Sequence, residues 1–167
     1  MENFEILSFI ALGGLASFCA NIGKTARSYS QHAQSNDNAI LLDLLRNGES
    51  HLKADSATWF FSMLGYLTPF GIGFYSSLRS GQSIDPVHII GLLAAVPECI
   101  VWLGLMYPFR VKVQMRYPSY VEPANAGPTL RADLVHWITL LKWSVFGTLP
   151  MYAMMFFYFY SRFDSFN

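Results

Sequence analysis

The sequence predicts an all-α fold: a polytopic membrane protein of four transmembrane helices with a short amphipathic helix at the interface. Composition, four long apolar runs and the placement of basic residues between those runs predict it. The chain is 53% hydrophobic and only 13% charged, where soluble domains carry about 25% charged residues. Net charge is zero, so no global basic field points to nucleic acid. The 167 residues fit one domain spanning 1–167. Cys19 and Cys99 sit in apolar runs without CxxC spacing and read as small buried hydrophobes.

The four runs are 4–23, 57–78, 86–109 and 138–160. About 20 apolar residues cross the hydrocarbon core at roughly 1.5 Å per residue. The first run is read as an uncleaved helix, because its leading segment holds Glu2 and Glu5 and no basic residue. Asp85 before Pro86 reads as the cap and first residue of the third helix. The fourth run has an apolar lead-in from Leu134.

Basic residues alternate with the runs. Lys24, Arg27, Arg46 and Lys53 follow the first, and Arg110, Lys112, Arg116 and Arg131 follow the third. Only Arg79 and Arg162 fall on the other side, with Lys142 at the start of the fourth run. This bias puts both termini outside and both long loops on the cytoplasmic or matrix side, in a bacterial or organellar inner membrane.

Within the first long loop, Ile40, Leu41, Leu44 and Leu45 form one helical stripe over about 38–47. Asn36, Asp37 or Asn38 can cap it and Gly48 can stop it. The second long loop carries Pro118, Pro123 and Pro128 and is expected to be irregular from Arg110 onward. Arg110, Lys112 and Arg116 then form a strip past the third helix. They act as topology determinants touching lipid phosphates, or dock a partner subunit or an acidic headgroup such as cardiolipin.

Each run offers small residues for close packing, such as Gly14, Ser62, Gly73, Gly91, Ala95, Ser144 and Gly147. The stretch Met151–Phe163 is nearly all aromatic or Met, more than four helices can enclose, so part of it must meet lipid or protein. His32, His51, His88 and His136 show no metal-ligand spacing. His88 and His136 lie roughly a bilayer apart, which disfavours an axial pair. No catalytic constellation, metal or cofactor is expected.

In length, span count, outside termini and long first loop, the chain resembles the family of membrane-associated glutathione-dependent enzymes that includes leukotriene and prostaglandin synthases. That family opens its second span with an Arg and an Asn a few residues apart, then a Glu. Here Arg46, Asn47 and Glu49 stand almost contiguously before a polar segment, so the likeness covers layout and not motif.

One acid, Glu98, follows Pro97 in the middle of the third run. A charged side chain at that depth costs on the order of 3 kcal/mol and faces the bundle interior. Counting back from Arg110 places it about 18 Å from the inner end. Lys142 either reaches it as an ion-pair partner or snorkels to the interface. Pro97 and Pro69 free backbone carbonyls that would suit a proton or ion site.

The leading functional expectation is a non-catalytic integral membrane subunit with a structural or assembly role. It would sit in a larger complex, such as a respiratory or otherwise energy-transducing one, with membrane lipids and other subunits as partners. The alternatives are a small transporter or proton-conducting protein using Glu98, and a membrane-embedded enzyme using His51, His136 or Arg116 on a lipid-like substrate.

Overall fold

The structure, a computed structural model, describes the backbone of residues 2–163 and the side chains of residues 6, 10–48 and 56–160. Every regular element among them is helical. In order these are α1 (Glu2–His32), α2 (Asn38–Ser80), α3 (Pro86–Leu93), α4 (Val96–Cys99), a π-helical segment (Ile100–Met106), α5 (Tyr107–Arg116), a 3-10 turn (Pro123–Asn125), α6 (Leu130–Gly147) and α7 (Leu149–Phe163). From α3 to α5 the chain forms one rod, Pro86–Arg116. That rod and Leu130–Tyr160, 31 residues each, are long and apolar enough to cross a membrane.

The arms run alternately up and down. Gly14 meets Ser62 and Gly48 meets Tyr29, so α1 and α2 are antiparallel. Gly73 meets His88 and Gly91 meets Phe70 between α2 and the rod. Trp102 meets Ser144 and Phe109 stacks on Trp137 between the rod and α6. α1 closes the bundle against α6, where the Cys19 thiol lies 3.1 Å from the Thr148 hydroxyl. Each arm buries one face: Leu15, Phe18 and Ile22 from α1, Met63, Tyr66 and Phe70 from α2, and Leu134, Leu141 and Met151 from α6 and α7.

The caps form as their residues dictate. Asp37 accepts from the Ala39 N–H at 2.8 Å, and Asp85 accepts from the Val87 N–H at 2.9 Å ahead of Pro86. α2 ends on Gly81, whose φ of 67° few side chains tolerate, with backbone bonds folding back onto Leu78 and Ser77.

Several expectations are corrected. The amphipathic stripe at 38–47 is no separate helix, because α2 runs on from Asn38 to Ser80. Gly48 does not stop it. The glycine lies where a Cβ would sit 3.2 Å from Trp137 Nε1 and 3.3 Å from Tyr29 Oη, so tertiary packing overrides its weak helix propensity. The buried face of the stripe is Leu41, Leu42 and Leu45, while Ile40 is exposed. α1 continues past 23 to His32. The third run continues helically past Phe109 to Arg116, so the irregular loop begins only at Tyr117. The fourth run starts at Leu130 and is broken between Gly147 and Leu149.

The helices thus extend beyond the apolar runs at one end, called here the loop end. The single hydrophobic core continues into it through Tyr29, Leu41, Leu45, Phe109, Tyr117, Leu130 and Trp137.

Candidate functional site

The rod is irregular around Glu98. Pro97 has no N–H to give Leu93, and the helix tightens at Ala94 and Ala95, where the Ala95 N–H reaches Leu92. Beyond Cys99 the winding widens: the Tyr107 N–H donates to Trp102, five residues back. Pro108 ends that stretch, since it too lacks a donor. π-Helical interruptions of α-helices are rare and are frequently found at functional sites.

Glu98 is completely buried. Its Oε1 accepts from the Ser144 hydroxyl at 2.8 Å, and Ser144 accepts from the Trp102 indole N–H at 2.9 Å. Trp59 stacks on Trp102 with ring centroids 5.2 Å apart, and Phe18 meets Trp102 from α1. The second carboxyl oxygen, Oε2, and the Trp59 Nε1 are buried and make no hydrogen bond of good geometry, although the Trp59 and Trp102 indoles both lie close enough to the carboxyl to interact with it. Gly147 is what lets α6 come this close, because any side chain there would collide with the Glu98 carboxyl and press on its backbone. All four arms therefore converge on the acid.

Lys142 does not join them. It is exposed, and it lies two residues, or roughly 200° of helix, before Ser144. Of the two candidates for an intramembrane pair, the structure brings only Glu98 into the interior. The hydrogen-bond partner of the Glu98 carboxyl is the Ser144 hydroxyl. Thr68, beside Pro69, turns back to the Leu64 carbonyl.

The basic strip is split by α5. Arg116 donates to Asp133 of α6 at 2.8 Å, and Lys112 lies 4.0 Å from the same carboxylate and over the Phe109 ring. The Tyr117 hydroxyl also donates to Asp133 at 2.8 Å. Arg110 points elsewhere, into a cleft that it shares with Arg46, Gln114 and Trp137. Arg46 reaches across from α2 to the carbonyls of Tyr117, Pro118 and Val121. Arg131 ties the α1–α2 turn to α6 through the Ser35 carbonyl and Asn36. Burial first, then Asp133, pushes the Tyr117 phenol above its ordinary value, against opposing help from Thr129 and Arg116.

Sequence reasoning missed Asp133 and Tyr117 as the anchor of this end. The signal was an acid directly before the apolar lead-in that begins at Leu134. It also missed Ser144 as the partner of Glu98, reading it as a packing residue.

The residues considered for a lipid-directed enzyme are His51, His136 and Arg116. His136 is exposed with its ring against Phe109, Arg116 is held by Asp133, and the His51 side chain lies outside the described residues. The His88 ring packs on Gly73. Among the described residues no group of three or more His, Cys, Asp or Glu could hold a metal ion. No family model, curated protein or solved structure matches the chain.

Proposed function

We propose that the protein is an integral membrane subunit of four spans, with a structural role in a larger membrane complex. Termini outside, loop end on the cytoplasmic or matrix side and an inner membrane follow from the charge bias. Exposed large apolar side chains on every arm support four spans: Ile10 on α1, Phe61 and Leu64 on α2, Leu103 on the rod, and Trp143 and Phe156 on α6 and α7. The observation that carries the partner is a wide apolar groove between α2 and the rod. Ala95 and Gly104 lie within it, and Leu67, Val96, Ile100 and Leu103 flank it. Small residues in a groove admit another helix closely, and such packing is what associates helices in lipid.

Extraction in a mild detergent followed by native mass measurement tests this. The chain should travel with other membrane proteins, and Gly104→Leu should release it while leaving its own helix content unchanged. Migration of the wild-type chain alone would overturn the assignment.

A second reading, proton transfer through Glu98, is favoured by one observation, a fully buried carboxyl whose Oε2 makes no hydrogen bond of good geometry. Vesicles holding wild type or Glu98→Gln, driven by a pH gradient, separate the two. A flux in wild type that the substitution abolishes would favour transfer, and equal rates would reject it.

A further inference from the structure

α6 and α7 meet at a break beside Glu98. Gly147 lies against the carboxyl and backbone of Glu98, and Thr148, Leu149 and Pro150 follow it. Pro150 has no N–H to return to the Phe146 carbonyl. The Thr148 hydroxyl turns into the ladder and donates to the Val145 carbonyl at 2.7 Å, and the Met151 N–H reaches three residues back, to Thr148, at 3.1 Å. A proline and a side chain inserted in the ladder are ordinary causes of a kink, and the glycine adds its own weak helix propensity.

The face that α7 turns inward is made of methionine. Met151 and Met155 have no exposed surface, and Met154 is buried beside them. Methionine is unbranched and flexible and fills irregular space, so this face can leave its seat and return without a fixed jigsaw fit. Around it Tyr152 approaches Cys19 of α1, the Tyr158 ring stands edge-on to Phe70 of α2 at 5.5 Å, and α7 rests on α3.

The other side of Glu98 is closed by rings. Trp102 is four residues, or about 6 Å, nearer the loop end. It stacks on Trp59 and meets Phe18, which ties the rod to α1 and α2 where both run unbroken.

We propose that α7 is a gate hinged at Gly147–Pro150, whose swing admits water to Glu98 from the end of the bundle opposite the loop end. The Trp59–Trp102 stack keeps the loop-end side shut. The gate would give the proton-transfer reading a one-sided route, but it does not depend on that reading. Equal flux through wild type and Glu98→Gln would reject transfer and leave the gate standing.

Thiol labelling tests it. The chain's two cysteines, Cys19 and Cys99, are replaced by serine. Single substitutions Met151→Cys and Met155→Cys then probe the gate, Ser144→Cys probes the level of the acid, and Leu134→Cys and Leu42→Cys serve as loop-end controls. None of these five positions is more than 1% exposed, so each reacts only when the chain opens. The full-length protein in lipid nanodiscs is offered a charged, water-borne methanethiosulfonate from both ends.

The gate positions and Ser144→Cys should react at least about tenfold faster than the controls, because a local opening is populated far more than global unfolding. Pro150→Ala restores a backbone donor at the hinge. It should slow those three positions about fivefold, the weight of one hydrogen bond, and leave the controls unchanged. Denatured protein supplies the ceiling rate, and either methionine position carries the test if the other reaches that ceiling. Equal rates at gate and control positions would mean general loosening and overturn the gate. So would gate rates that Pro150→Ala leaves unchanged. Reaction at the methionine positions with none at Ser144→Cys would mean an opening that stops short of the acid, and would overturn the route to Glu98.

Discussion

Two buried carboxylates, Asp133 and Glu98, hold the same pair of arms together by different chemistry. Asp133 at the loop end receives Arg116, Lys112 and the Tyr117 hydroxyl, so α5 is joined to α6 by charge. Glu98, with no surface exposed, meets a serine hydroxyl that is itself held by an indole. The first arrangement tolerates water, since the Arg116 side chain remains 42% exposed. The second excludes it and, among the described residues, offers no cation, a setting in which an ionised carboxylate is costly. Acids in this bundle are thus matched to the polarity of their level, and each can be perturbed without touching the other.

The largest effect should come at Glu98. Glu98→Ala removes a fully buried side chain and strands the Ser144 hydroxyl, which together cost about 3 kcal/mol. Glu98→Gln keeps volume and an acceptor for Ser144 and should cost about 1 kcal/mol or less. Thermal unfolding in detergent, followed by near-ultraviolet dichroism of the Trp59–Trp102 stack, measures both. If Gln proves as damaging as Ala, Glu98 acts through its charge and the contrast with Asp133 fails.

A smaller effect is expected at the loop end in alkali. The folded state raises the Tyr117 pKa, so its stabilising contribution is complete below the unfolded value of about 10 and falls as pH rises through the folded one. Proteolysis of the 117–129 loop should therefore accelerate above about pH 10. Tyr117→Phe should flatten that dependence while leaving the Glu98 region unchanged.

The smallest effect belongs to Lys142. Exposed and turned away from Ser144, Lys142→Gln should shift stability by less than about 0.5 kcal/mol. A loss as large as that of Glu98→Ala would mean that the lysine reaches the acid after all.

What the sequence revealed of this contrast depended on distance along the chain. Glu98 stood out because an acid in an apolar run is conspicuous, and the caps at Asp37 and Asp85 were legible because they act over two residues. Ser144 lies 46 residues from its partner and looks like any small residue in a span. The basic trio read as a strip because its local helix was taken for a loop. Once α5 extends to Arg116, helical geometry sends Arg110 to one face and Lys112 and Arg116 to another. The glycine at 48 was read by propensity, while Trp137 and Tyr29 decide its conformation. The π-helical winding had no signature beyond Pro97 and Pro108, which mark its limits but not its pitch.

The unbroken α2 constrains how the gene can vary. Its 43 residues make a helix about 65 Å long, with Leu41, Leu42 and Leu45 buried at one end and Tyr66 and Phe70 at the other. Inserting or deleting one residue between them would rotate one set by about 100° relative to the other. Register is therefore inherited along the whole length, and changes in length are accommodated instead in the turns at 33–37 and 81–85 and in the loop at 117–129. Those are the positions at which a tag or reporter can enter the chain without twisting one half of the bundle out of phase with the other.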